Sequence, residues 1–194
     1  NAFRMFKRLE FKDNWYAKVD NICKKNKIEL LTSVADIESA KKYLSLNKKI
    51  LKIASDDLIN YPFLEYLSKL KNKIIILSTG MATYEEIKDA LKIMLNKKNI
   101  IILMHCVSLY PTNDKEINLG RILNLKKKFN IEVGFSDHTI GMNALYAARA
   151  IGCRIFEKHF TIDTKLNGPD HFLSLNEKDT KKAIYFIKNY NNIL

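Results

Sequence analysis

The chain alternates short, nearly continuous apolar runs with longer segments whose apolar residues recur at helical spacing. Six runs read as strands: IELLTS (28–33), ILKIAS (50–55), KIIILSTG (73–80), NIIILMHCVS (99–108), IEVGFS (131–136) and CRIFEKHF (153–160). The segments between them read as helices. Residues 13–26 place Trp15, Val19, Ile22 and Cys23 on one face, with Asp13 as a candidate N-cap. Asp36 stands where it would cap DIESAKKYLSL, and Pro62 opens PFLEYLSKL. Thr83 with Glu86 makes a capping box ahead of TYEEIKDALKIML. INLGRILNLKKKF follows a long polar loop, and a short helix within IGMNALYAARAIGC closes at Gly152. EKDTKKAIYFIKNY carries Ala183, Ile184, Phe186 and Ile187 in amphipathic register.

Strands without polar alternation, separated by helices, predict an α/β fold with a parallel sheet covered by helices. The strand ends carry Thr32 and Ser33, Ser55, Ser78 and Thr79, Ser108, Ser136 followed by His138, and His159. A hydroxyl or imidazole at nearly every strand's C-terminal end is the layout of a (β/α) barrel, whose site lies at that face. Six such strands are visible in the sequence, against eight in a closed barrel. No GxGxxG follows the first strand and no GxxxxGK[ST] occurs, which sets aside the signatures of dinucleotide and P-loop binding.

Composition narrows the class further. With 194 residues, 47% hydrophobic and 10% aromatic, the sequence suits one soluble globular domain. Its longest apolar runs are far too short to span a membrane, and NAFRMFKRLEF lacks the layout of a signal peptide. The net charge of +12 would suit nucleic acid if the lysines clustered. They come instead as scattered doublets, among them Lys24-Lys25, Lys48-Lys49 and Lys97-Lys98, with one triplet at Lys126 to Lys128. That pattern predicts a solvated basic surface without nucleic-acid binding, compatible with steering an anionic substrate. The three cysteines, Cys23, Cys106 and Cys153, lack close pairing and read as reduced thiols of a cytoplasmic protein.

Chemistry concentrates in two histidines. His138 in GFSDHT and His159 in FEKHFT each follow an apolar run, and the single short helix between them makes a crossover unit with parallel strands. Both imidazoles are expected at one end of neighbouring strands, about 4.8 Å apart. They read either as ligands of a divalent metal or partners of a substrate carbonyl, or as two rings satisfying strand-end backbone groups. His105 reads as a core histidine, and His171 sits in a loop. Lys52 shares a face with Ala54, so its ammonium points into the interior and needs an anionic partner, or else reaches out past the strand end. Lys158 and His159 are adjacent and must face opposite ways. Asp170 in NGPDH is either a turn former beside Pro169 or a carboxylate that orients a hydroxyl.

KIASDD, ILSTGMAT, HCVSLYPT, GFSDHTIG, FEKHFTID and GPDH occur in order and at consistent intervals. Together they resemble the sialic acid synthase (N-acetylneuraminate synthase) family of nonulosonic acid synthases, from MFKRLEF to SLNEKD. The resemblance implies a TIM barrel of which residues 1–194 hold strands three to eight, without the family's first two strands or its small C-terminal antifreeze-like domain. It implies condensation of phosphoenolpyruvate with an N-acetylated aldose, such as N-acetylmannosamine or a diacetamido-hexose. A divalent metal, Mn²⁺ or Mg²⁺, assists, and the full-length form is a homodimer. Carried over by position, His138 and His159 are the metal ligands, and Asp57 and His159 stand near the reacting centre. Ser33, Lys52, Ser55, Ser108 and Ser136 fall at phosphoenolpyruvate positions, and Tyr110 and Asp170 at sugar positions. Departures bear on the substrate: Ser33 and Val34 replace a threonine and a proline, Ser108 an asparagine of the best-known members, and Asp57 a glutamate. The alternatives are another phosphoenolpyruvate-dependent deoxy-sugar-acid synthase, against which HCVSLYPT and GPDH argue, and an inactive or incomplete synthase.

Overall fold

In the computed structural model, which describes residues 2–95 and 98–192, five of the six apolar runs pair into one sheet. Lys97 lies outside the described residues. Helices α1 (Ala2–Leu9), α2 (Asp13–Lys25) and α3 (Ile37–Leu44) precede β1 (Ile50–Ile53). Then follow α4 (Tyr61–Ser68), β2 (Ile74–Ser78), α5 (Tyr84–Met94), β3 (Ile100–His105), α6 (Gly120–Phe129), β4 (Val133–Asp137), α7 (Asn143–Ala150), β5 (Phe156–Lys158) and α8 (Glu177–Asn189). The strands lie side by side in chain order, and every pairing is parallel. The result is an open α/β half-barrel.

Register sorts each strand into two faces. Leu51, Ile75 and Ile101 align across the sheet, as do Ile53, Leu77 and Leu103. These residues are buried against the helices together with Val133 and Phe135. Ile87, Ala90, Leu91 and Met94 of α5 add a stripe at i, i+3, i+4 and i+7, and Phe63, Leu64 and Leu67 form the buried face of α4. The alternate positions, with Lys52, Ser78 and Ser136, face the concave side.

Two helix starts form as the sequence implies. Asp36 accepts from the Ser39 N–H at 2.7 Å, and Thr83 exchanges bonds with Glu86 as a capping box. Gly152 closes the turn after α7 with φ of +90°, a left-handed conformation that favours glycine. Asp13 is not an N-cap: Lys12 holds that position without a side-chain cap bond, and the Asp13 carboxylate is taken by Lys42 at 2.7 Å. A tertiary ion pair thus displaces the local bond. Helix α1 falls on residues to which the apolar pattern assigned no element.

The expected strand 28–33 is reduced to one bridge, Ser33 beside Lys52. It would be an edge strand with one neighbour, and Ile28 and Leu31 remain exposed, so neither a second ladder nor a core holds it flat. The run 153–160 likewise keeps only Phe156–Lys158 as strand. Beyond it, Phe160 bridges Leu175, a pairing no pattern foretold, with the Leu175 N–H donating to the His159 carbonyl at 2.8 Å.

One buried charge cluster ties α2 to the sheet. Asp20 meets Lys48 and, at 2.7 Å, Lys24, while Glu29 lies 3.5 Å from Lys48. Burial alone would lower the Lys48 ammonium, but Asp20 and Glu29 hold it above its ordinary value.

His105 is the core histidine that its mid-strand place suggested. Its Nε2–H donates to the Ile117 carbonyl at 2.8 Å and the ring stacks on Phe135, while Nδ1 has no partner among the described residues. Burial holds the imidazole below its ordinary value of 6.5. The unfolded chain therefore binds this proton more readily than the folded one, so this group favours folding as pH rises through the window below 6.5. The urea midpoint of the chain is expected to fall between about pH 7 and about pH 5, and to fall less in His105→Gln. Leu103, fully buried in the middle strand, is expected to cost about 2–5 kcal/mol as Leu103→Ala, read from the same unfolding curves.

Candidate active site

The C-terminal ends of the strands enclose a cleft of about 370 Å³. Its lining brings together Ser33, Lys52, Ser55, Tyr110, Ser136, His138 and His159, seven of the residues singled out from sequence, with Ser78 and Glu157.

Lys52 reaches inward from β1 with Ala54, as strand alternation requires. It is 6% exposed, and its ammonium donates to the Ser78 hydroxyl at 2.6 Å and lies 3.5 Å from Glu157 Oε2. Glu157 is thus the anionic partner that a buried lysine demands. It was missed in the sequence, although in FEKHF it sits two residues before His159 and therefore on the same face.

Register explains the next contacts. Ser136 lies directly opposite Glu157 on the neighbouring strand, and its hydroxyl donates to Glu157 Oε1 at 2.7 Å. One residue on, Asp137 lies opposite Lys158, and their side chains pair at 2.9 Å on the other face. Lys158 nevertheless borders the cleft together with His159, while its ammonium donates to Asp137 and to the Thr139 carbonyl. Burial lowers the Lys158 ammonium, which Asp137 partly offsets.

His138 and His159 emerge from neighbouring strands with ring centroids 5.7 Å apart, near the spacing expected of adjacent strands. The Val107 carbonyl lies 2.6 Å from His138 Nδ1; a carbonyl can only accept, so Nδ1 carries the proton and Nε2 keeps its lone pair. Ser136 Oγ is 3.2 Å from that Nε2. Burial holds the His138 imidazole below its ordinary value, favouring the neutral ring. His159 is oriented from outside by Asp170, 3.8 Å from its Nδ1. Tyr110 stacks on His138 at 4.1 Å and meets His159 edge-on at 5.7 Å, and burial pushes its phenol up to about 12.

Two imidazoles side by side, that of His138 kept neutral by burial with its tautomer set by a carbonyl, are a donor pair that fits a divalent transition metal. Among the described residues no group of three or more His, Cys, Asp or Glu is gathered for one ion. A metal here would complete its coordination with water or substrate oxygens, as an open catalytic site does and a closed structural one does not.

Three residues fall outside the lining. Asp57 lies on the 3-10 turn Asp56–Ile59 after β1, its carboxyl raised by burial and Asn60 3.5 Å from it. Asp170 stands behind His159. Ser108 lines a neighbouring cavity of about 510 Å³ that shares Cys106 with the cleft. His171 contacts Thr161 at 2.8 Å, outside the cleft lining. No described helix is long and apolar enough to cross a membrane.

Proteins similar to this chain include several named as synthases of sialic-type acids. The chain is 40% identical over 184 residues to N,N'-diacetyllegionaminic acid synthase of Campylobacter jejuni, covering 93% of this chain and 55% of that one. It is 35% identical over 184 residues to N-acetylneuraminate-9-phosphate synthase of Drosophila melanogaster, covering 94% and 49%. The chain thus spans about half the length of the curated relatives it matches. The crystal structure of N-acetylneuraminic acid (sialic acid) synthetase from Leptospira borgpetersenii in complex with citrate matches with TM-score 0.92 and 34% identity, over 98% of this chain and 66% of that one. The NeuB family model matches residues 1–194, and the chain belongs to the NeuB family.

Proposed function

We propose that this chain carries the phosphoenolpyruvate-binding and aldehyde-facing part of a nonulosonic acid synthase. The reaction joins C3 of phosphoenolpyruvate to the aldehyde carbon of an N-acetylated aldose, adds water at C2 and releases inorganic phosphate. The observation that carries the reading is the buried Lys52 ammonium, bonded to the Ser78 hydroxyl in a cleft that Ser55, Ser136, His138 and His159 also line. An ammonium with several hydroxyl donors suits a ligand bearing a phosphate and a carboxylate.

In this reading Lys52 binds phosphoenolpyruvate charge, assisted by hydroxyls of Ser33, Ser55, Ser108 and Ser136. His138 and His159 would hold the divalent metal, Mn²⁺ or Mg²⁺, which when bound there would supply Lewis-acid polarisation of the aldehyde oxygen. Glu157 keeps Ser136 and Lys52 in place through their two contacts with its carboxylate. Tyr110, stacked on His138, and Asp170, behind His159, border the aldose. Asp57, with its carboxyl raised by burial, is suited to passing a proton at the edge of the site.

Two experiments test this. Phosphate release by the protein is measured with phosphoenolpyruvate, Mn²⁺ and either N-acetylmannosamine or a diacetamido-hexose. Release dependent on an N-acetylated aldose is expected. Release only with a simple pentose or tetrose phosphate favours another deoxy-sugar-acid synthase, and none with any aldose refutes the synthase reading. His138→Ala is expected to abolish thermal stabilisation by Mn²⁺ alone. Separately, phosphoenolpyruvate at a hundred times its Kd is expected to stabilise the chain by about 2.7 kcal/mol, and Lys52→Met to remove that gain.

A further inference from the structure

Gly80, at the turn after β2, is the place where the cleft and its neighbouring cavity nearly touch. A Cβ built there would lie 2.5 Å from Ser108 Oγ, 2.8 Å from Ser55 Oγ and 3.0 Å from Cys106 Sγ. Three polar side chains from two strand ends, Ser55 after β1 and Cys106 and Ser108 after β3, therefore converge on a space that glycine leaves open. The backbone itself is unstrained there, so the requirement is for space and not for an unusual dihedral.

The bond from Gly80 has a fixed direction, whereas the contact between Ser55 and Cys106 can run either way. The Gly80 N–H donates to Ser55 Oγ at 3.0 Å, and Cys106 Sγ lies 3.3 Å from the same oxygen. A serine hydroxyl has one proton and two lone pairs. With Gly80 occupying one lone pair and the Cys106 S–H the other, the remaining proton is left to donate to whatever enters the cleft. With either missing, the hydroxyl is free to rotate and its proton loses a fixed direction.

We propose that Gly80 and Cys106 are positioning residues that hold the Ser55 hydroxyl with its proton aimed into the cleft, at an oxygen of a bound anion. The functional part of this inference rests on the phosphoenolpyruvate reading above; the orientation of the hydroxyl does not. Cys106 is suited to the task because a thiol is a weak acceptor, so it competes poorly with an anionic oxygen for the Ser55 proton. Its 7% exposure keeps the contact out of bulk water.

Two readouts test it separately. The S–H stretching band of Cys106 is located as the difference between infrared spectra of the parent chain and Cys106→Ala. In Ser55→Ala it is expected to move to the frequency of a thiol that donates no hydrogen bond, and in Gly80→Ala, where the added methyl displaces the Ser55 hydroxyl, to move the same way. A band unmoved in Ser55→Ala overturns the proposal, whatever the ligand. Phosphoenolpyruvate affinity is then measured by calorimetry. Cys106→Ala is expected to weaken it about tenfold and Cys106→Ser to restore it, because the hydroxyl is again a donor to Ser55. In a Ser55→Ala background, Cys106→Ala is expected to cost nothing more. Equal losses in both backgrounds, or no loss in either, overturn the positioning role. A parent chain that binds no phosphoenolpyruvate, yet shows the shifted band, refutes the ligand reading and leaves the oriented hydroxyl standing.

Discussion

Parallel pairing of β1 to β5 in chain order is the constraint on which the rest of this structure depends. When every strand runs the same way, every strand ends at the same rim, one strand spacing from its neighbour. Residues separated by twenty or more positions, such as Ser136 and Glu157, then become side-by-side partners. The helices on the outer face enforce the register, because a slip of one residue would turn Leu51, Ile53, Leu77 and Leu103 out of the core. The same slip would turn Lys52 and Ser136 away from the cleft. Core packing and site geometry are therefore consequences of one choice.

The charges near the cleft follow from that choice. On the concave face Glu157 stands between Lys52 and Ser136. On the opposite face, one residue further along the same two strands, Asp137 and Lys158 form a buried pair. That second pair clamps β4 to β5 from behind, which holds Ser136 beside Glu157 in front. Breaking a buried pair leaves one charge without compensation, so this arrangement resists shear between the strands. The site is braced by an ion pair buried at its margin.

Much of this was legible in the residues. The apolar runs gave the parallel α/β architecture, and Asp36, Thr83 with Glu86, and Gly152 marked helix boundaries through local hydrogen bonds and a left-handed turn. Strand alternation sent Lys52 inward. The two histidines, one crossover apart, were expected side by side, and the rings are adjacent. The segment 28–33 was not legible as a single bridge, because its apolar pattern is that of a strand and only its place at the sheet edge deprives it of a second neighbour. Asp13 failed as a cap for a related reason: a lysine distant in sequence competes for its carboxylate.

By itself, the sequence determined what depends on neighbours along the chain: period, capping, the face to which each strand residue points, and the motifs of the NeuB family. The tertiary structure decided what depends on neighbours across the sheet. It assigned Glu157 to Lys52 and Ser136, and it laid Tyr110 on His138. It also brought Gly80 and Cys106 to Ser55, contacts that no spacing along the chain announces. Periodicity says which face a side chain occupies, whereas register and strand order say what stands opposite it, and those are set only when the strands pack.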